Sequence, residues 1–467
     1  MSVDDLHQDY SAALPRWRLV DDIADERNLA EYVYNLDVTG DKKRNDDFKQ
    51  RASFTGVTGF TEAGLVGIAY DNEPEITLPA TLEYLRKNVD GAGLDFAQQI
   101  LAATGQVLRK DRAALFVTYP ARTGDTSVAE QRAGKAVATI QMIRAERVIN
   151  WWTTTEGATT QLAGVVFTDT METRDGFDVE RENILRSLTL EGGLFVDQKW
   201  RKDDSGQWQS FDYIEPLKGD GSRWASIPFT FIGGSDNTPW IRTAPLYPLA
   251  KKNADHLNNS AINERTIWFA GHIQPVADEI DPAMFEAMAG EAKFEVGSGN
   301  MLVAKGFRYE VANANTAARQ GMLDKFAEMQ AIGARILQPG TVAKTATQAA
   351  GEEKVSHSIL SLAVVNVEDA YNVALAWCVE YMRCPEAYIA LSRDFMLPAM
   401  VPEMLDRLLQ MFDRGLIGTN EVHRSLTRAK IVDPELTADE YRDEVDARGG
   451  GETMPDMGGG GLDEPQV

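Results

Sequence analysis

Cysteine is almost missing from this chain: Cys378 and Cys384 are two thiols among 467 residues. Six positions apart, they fit neither a C-x-x-C redox pair nor the knuckles of a zinc site, and read as core or surface thiols in a reducing cytosol. Histidine is scarce as well. His7, His256, His272, His357 and His423 form no pair at metal-ligand spacing, and no HExxH occurs. No stretch approaches 18 uninterrupted apolar residues, so an ordinary membrane span is not expected. The first residues, MSVDDLHQDYSAALPRW, are acidic and lack the apolar run of a signal peptide. A chain made in a cytoplasm and soluble there is therefore expected. Basic residues are outnumbered, 47 Lys and Arg against 71 Asp and Glu, for a net charge of −24. Such acidity argues against tight non-specific binding to nucleic acid or anionic membrane.

Catalytic motifs are missing too. A phosphate-binding loop needs GxxxxGK[ST], and Gly134-Lys135 lacks both the earlier glycine and the hydroxyl. There is no GxSxG elbow, and Gly56-Val57-Thr58-Gly59 does not satisfy GxGxxG. Carboxylates abound, but in so acidic a chain they mark solvated faces. No catalytic residue, metal ligand or cofactor is nominated, and an enzyme is not expected.

What is present is a mixed α+β pattern, with material for two to four domains. Residues 21–36 predict a short helix with an acidic first turn. Residues 48–70, with glycines at 56, 59, 64 and 67, fit a helical hairpin or a strand–turn pair. Residues 79–110 read as helical, and Ala113–Tyr119 as a buried strand. From 137 to 232 short β-rich runs (VINWW, LAGVVF, SLTL, GLFVDQKW, QSFDYI, IPFTFI) alternate with turn clusters, which predicts an antiparallel sheet or hairpins. A helix opens at Pro245 and runs to about Ala270, with Leu246, Leu249, Ala250, Leu257, Ala261 and Trp268 on one stripe. A β-rich insertion at 271–312 contains a short helix begun by Asp281-Pro282. A second long helix spans 313–337, capped by Asn313 or Asn315, with Ala318, Met322, Phe326, Met329, Gly333 and Ile336 on one face. A loop at 338–352, a long helix to Arg383 and the strand AYIALSRDF follow. Short helices come last, at 401–414, at about 420–429 and from the capping box Thr437-x-x-Glu440. Beyond Ala447 the Gly-rich acidic tail predicts disorder.

The order of these pieces carries a resemblance. APLYPLAKKNADHLNNSAINERTIWFAGHIQPV resembles the leucine-rich start, asparagine-rich helix and following strand of tailed-bacteriophage portal proteins, the head-to-tail connectors. FTGVTGFTEAGLVGIAYDNEPEITLP, KDRAALFVTYP, RVINWW and TVAKTATQAAGEEKVSHSILSLAVVNVEDAYNVALAW are similar to further segments of that family, over roughly residues 48 to 430. One departure is Asp111, where the family usually has glycine. The resemblance implies a wing at 1–244, stem helices at 245–270 and 313–337, a clip at 271–312 and a tunnel loop at 338–352. More wing follows at 353–399, then a crown at 400–447 and a tail at 448–467. It also implies a homo-oligomeric ring of about twelve subunits in a virion, assembled in the host cytoplasm. The implied partners are the major capsid protein, the terminase large subunit, neck adaptor proteins and the double-stranded DNA that passes through. A neck or tail component of another kind, or an acidic hydrolase, is the alternative.

A conduit must surround DNA without gripping it. A stem helix of 25 residues is about 38 Å long, and duplex of that length carries roughly 20 phosphates. An acidic lining would repel them all and leave the duplex free to slide. Lys344, in the tunnel loop, is read either as a phosphate contact or as a solvated lysine. Arg319, Lys325 and Arg335 either line the tunnel or pair between subunits with Asp324 and Glu328, and their interleaving favours the pairs.

Overall fold

In the computed structural model the described residues are 2–36, 40–119, 137–271, 274–278, 306–310, 316–337 and 358–392, with isolated positions between 410 and 440. The chain divides into two units, Met1–Phe395 and Met396–Val467. In the second, Thr437 and Glu440 form the expected capping box. The Glu440 N–H donates to Thr437 Oγ1 (3.3 Å), and the Thr437 N–H donates to Glu440 Oε2 (2.8 Å). Of the short helices expected at 401–414 and about 420–429, only Gln410–Phe412, Val422, His423 and Leu426 are described as helical, and the tail lies outside the described residues.

The first unit opens with a helix that the sequence pattern did not announce. α1 (Gln8–Ala24) buries Tyr10, Ala13, Trp17, Val20 and Ile23, spaced three or four apart. His7 caps it, its Nδ1 accepting from the Asp9 N–H at 3.1 Å. Pro15 lies inside α1 but on its exposed side, where the carbonyl that loses its partner can turn to water. The helix expected over 21–36 is thereby corrected. α1 ends at Ala24, and Glu26 and Asn28 (φ 56° and 51°) break the helical path before a short turn at Leu29–Glu31.

α2 (Lys42–Arg51) and α3 (Val57–Ala69) resolve the 48–70 ambiguity in favour of helix over strand, but the two do not form the close-packed hairpin expected, since α3 packs on α1 instead of on α2. Gly59 is needed there, because a Cβ would stand 2.5 Å from the Ala24 carbonyl of α1. The single helix expected over 79–110 is split. Gly91 and Gly93, both at positive φ, separate a turn at Glu83–Arg86 from α4 (Phe96–Lys110), which Asp95 caps.

The strands follow the alternating runs. β2 (Ala113–Thr118) is the centre of an antiparallel sheet between β3 (Thr139–Arg144) and β9 (Phe229–Ile232). β4 (Val148–Glu156), β5 (Thr159–Asp175), β6 (Asp178–Glu191), β7 (Leu194–Lys202) and β8 (Trp208–Ile214) form a five-stranded meander. β1 (Glu75–Thr77) pairs with β12 (Tyr388–Ala390).

Three further helices complete the unit: α5 (Tyr247–Gly271), α6 (Thr316–Leu337) and α7 (Ile359–Met382), the last capped by Ser358. α7 is long and apolar enough to cross a membrane by composition alone. It instead buries Leu360, Val364, Val367, Tyr371, Leu375 and Cys378 in a core shared with α4, β2 and β9. At about 25 cal/mol per Å² of apolar surface, that burial is what orders so hydrophobic a helix in a globular fold.

Candidate functional site

α5 and α6 are the two long helices that the sequence reading singled out, and they pack against each other. The Lys325 ammonium donates to the Asp255 carbonyl at 3.1 Å, and Lys252 pairs with Glu328 at 2.7 Å. Gly321 leaves room for the Asn259 side chain, since a Cβ there would lie 2.6 Å from Asn259 Nδ2. Between the helices in sequence sits an antiparallel strand pair, β10 (Gln274–Asp278) with β11 (Gly306–Glu310). A helical hairpin interrupted by a small β module is therefore present. The Asp281-Pro282 helix and the Asn313 and Asn315 caps lie outside the described residues.

The asparagines of α5 clamp it to the N-terminal helices. Asn253 accepts from the Thr58 N–H and hydroxyl at 3.2 and 3.1 Å and donates to the Thr55 carbonyl at 2.9 Å. Asn258 donates to the Tyr32 carbonyl and accepts from the Tyr34 N–H, both at 2.8 Å. Ser260 both donates to and accepts from the Ser53 backbone. Leu246, Leu249, Ala250, Leu257 and Ala261 are buried as expected, whereas Trp268 is half-buried under the Arg51 guanidinium. Pro248 sits in the first turn of α5, where its missing N–H is no loss.

Entry into α5 is anchored by Asp111. This residue ends α4 in the left-handed conformation (φ 56°), which glycine adopts freely and aspartate tolerates. Its carboxylate accepts N–H groups from Gly234 (2.9 Å) and Arg242 (3.1 Å), so it pins the loop that leads into α5. Burial raises its pKa to about 6. Beside it, Arg112 is buried between the rings of Trp151 and Phe231, at 4.3 and 3.8 Å, and donates to the Pro239 carbonyl. Nothing in the local pattern marks this anchor beyond the departure from glycine.

The expected face of α6 is only partly covered. Met329 and Ile336 are buried, but Phe326 is 38% exposed and its neighbour Leu323 55% exposed. On α5, Ile262 and Ile267 are 46% and 53% exposed. Among the described residues, both helices thus keep apolar side chains that are exposed.

The charged residues named from sequence divide similarly. Lys325 and Glu328 are held inside the hairpin by Asp255 and Lys252. Asp324 accepts from the Gln320 amide at 2.7 Å, and Arg319 and Arg335 are exposed. Lys344 and the loop 338–352 lie outside the described residues. One expectation needs correction. The two helices carry Lys251, Lys252, Arg265, Arg319, Lys325 and Arg335 against Asp255, Glu264, Asp324 and Glu328, so the acid excess of the chain does not lie on them.

A separate cleft of about 850 Å³ lies between α1, α3 and α4. Two of its cations each meet two acids: Arg109 with Asp25 and Glu62 (2.7 Å each), and Lys110 with Asp21 (2.8 Å) and Glu146 (2.5 Å). Among the described residues, no group of three or more His, Cys, Asp and Glu side chains is arranged to hold a metal.

Residues 245–382 match the family model described as a domain of unknown function (DUF4055). No curated protein matches the chain. Solved structures give distant likenesses. A chain in "Virion of native gene transfer agent (GTA) particle" is 14% identical, with TM-score 0.38, over 83% of this chain and 93% of that one. One in "Neck of empty GTA particle computed with C6 symmetry" is 16% identical, with TM-score 0.38, over 80% and 91%. One in "Neck of native GTA particle computed with C12 symmetry" is 14% identical, with TM-score 0.36, over 81% and 91%.

Proposed function

We propose that this chain is the subunit of a portal ring, a channel at one vertex of a phage capsid through which double-stranded DNA enters and leaves. The observation that carries the reading is the hairpin. Two helices of 25 and 22 residues pack together, hold a strand pair between them in sequence, and leave Ile262, Ile267, Leu323 and Phe326 at the surface. A ring of identical chains closes by heterologous contacts, the face of one subunit on the back of the next. Apolar residues left uncovered on both helices supply such faces.

In this reading the stem is 245–270 with 313–337, the clip 271–312, the tunnel loop 338–352 and the crown 400–447, while 1–244 and 353–399 form the wing. The helix pair is close to neutral, and two of its six cations are held inside the hairpin. The four that remain per subunit leave the duplex unclasped only where they meet acids of their own or a neighbouring chain rather than phosphate. Energy for packaging comes from a terminase docked on the clip, later replaced by neck adaptors, and the wing meets the major capsid protein. Lys344 would touch phosphate from the tunnel loop, and Arg319 and Arg335 would face the lumen or a neighbouring subunit.

Electron microscopy of the purified full chain tests this. Rings of about twelve subunits with an axial hole are expected. A tube, a fibre or a stable monomer would refute the reading and favour another virion component. Deleting 338–352 should leave the rings intact while DNA packaging fails.

A further inference from the structure

The loop that leads into α5 is fastened on both sides of one exposed tryptophan. The Asp111 carboxylate accepts the Gly234 and Arg242 N–H groups at 2.9 and 3.1 Å, and the Arg112 guanidinium donates to the Pro239 carbonyl at 2.6 Å. Further ties fix the loop to α7. Asn237 donates to the Asn366 carbonyl (2.9 Å), and Asn366 donates in return to the Gly233 carbonyl (2.8 Å). Trp240 stands in this frame with 68% of its surface exposed. A lone exposed apolar side chain is ordinary. A tryptophan whose backbone is held on either side is a ready anchor, because the fold has already ordered it. Among the described residues its indole N–H has no acceptor.

The cleft between α1, α3 and α4 has the complementary character. Ala63, Gly67 and Ala102 are exposed along its walls, with Val66 and Leu101 beside them. At about 850 Å³ it is wide enough for an indole. Arg109 and Lys110 are already met by acids, so no buried cation is left there to take an anion. Gln106 also lines the cleft, and its Oε1 is buried without a hydrogen-bond partner. A buried acceptor left unmatched is uncommon. A half-turn about the last side-chain torsion brings that oxygen to the cleft.

The cleft lacks a donor and an apolar filling, and a tryptophan side chain supplies both. We infer that the Trp240 indole seats in this cleft of a second copy of the chain, its N–H donating to the Gln106 amide. The inference rests on the ring reading, because contact between two unlike patches is what closes a ring of identical chains. Trp240 is not among the walls of the cleft, so knob and hole are separate patches. One such side chain buries roughly 150–250 Å², far below what holds two proteins together. The anchor therefore adds to hairpin packing and fixes how one subunit sits on the next.

Sedimentation of the purified full chain over a range of concentrations tests this, with circular dichroism to check that each variant folds. Trp240→Ser removes the anchor and should raise the concentration at half assembly by about tenfold or more. Gly67→Met fills the cleft, nothing lying within 4 Å of a Cβ there, and should act alike. Trp240→Phe keeps a ring but not the N–H, and should raise that concentration about two- to tenfold. The Phe effect should shrink in Gln106→Met, which has no amide to accept. Assembly like wild type in both Trp240→Ser and Gly67→Met would overturn the docking while wild-type rings stand. Loss in one of these two variants but not the other would overturn the pairing of this anchor with this cleft. A Phe effect unchanged in Gln106→Met would overturn the hydrogen bond. A wild-type chain that forms no ring overturns the ring reading as well.

Discussion

Replacing Asp111 by Asn tests how the hairpin is tied to the body of the fold. The carboxylate is 4% exposed and accepts two backbone N–H groups, yet burial raises its pKa from 3.8 to about 6. The hydrogen bonds from Gly234 and Arg242 offset that rise only in part. An acid with a higher pKa folded than unfolded binds more protons in the folded chain between the two values. Its contribution to stability therefore falls as pH rises through that window. The whole window is worth about 3 kcal/mol, of which about 1 kcal/mol lies between about pH 5.2 and about pH 7. That interval stays above the sequence pI of about 4.7, where a chain without net charge tends to precipitate. Asparagine tolerates the left-handed φ and can still accept from Gly234, but it sets an amide N–H against that of Arg242. The orphaned donor costs roughly 1–3 kcal/mol. Urea unfolding followed by tryptophan fluorescence should thus show the variant less stable at about pH 5.2, with the gap narrowing by about 1 kcal/mol at about pH 7. A gap that stays constant or widens would refute the reasoning.

His256 should act in the opposite sense. It is buried on α5, and its pKa is lowered by burial and then by Lys325. Below about pH 6.5 the unfolded chain takes up a proton that the folded chain resists, so His256→Leu should lessen the loss of stability on acidification; equal acid sensitivity in both chains would count against this. Arg112→Met, which removes a buried cation but keeps the volume between Trp151 and Phe231, should change stability by less than about 1 kcal/mol. Arg112→Ala should cost roughly 2–4 kcal/mol by leaving a cavity. Urea midpoints that rank the two alike would contradict the cavity argument. Within α3, Gly64→Ala should stabilise by about 1 kcal/mol, nothing lying within 4 Å of the new methyl. Gly59→Ala should instead destabilise by roughly 1–3 kcal/mol, because its methyl meets the Ala24 carbonyl. Thermal unfolding that moves both the same way would show that α1 and α3 are not closely packed.

The amino-acid order by itself determined the elements with strong local periodicity. The β-rich runs between 137 and 232 became β3 to β9, and the helices opening near Pro245 and Asn315 became α5 and α6. It also marked Thr437 and Glu440 as a helix start, because capping is settled by residues three apart. Local pattern failed where a distant neighbour decides. α1 was passed over since its polar residues and Pro15 mask a stripe that is meaningful only against α4, where the Trp17 indole donates to the Lys110 carbonyl across 93 positions. Composition gave the net charge but not its placement, and the hairpin proved nearly neutral. The apolar stripe on α6 was legible, but which part of it stays uncovered was not. Asp111 looked like an odd substitution until Gly234 and Arg242, more than 120 positions away, were brought to its carboxylate. Periodicity is a property of a short backbone segment and can be read along the chain. Burial, charge pairing and the choice of surface for a partner depend on contacts between segments far apart, and only the tertiary structure decides those.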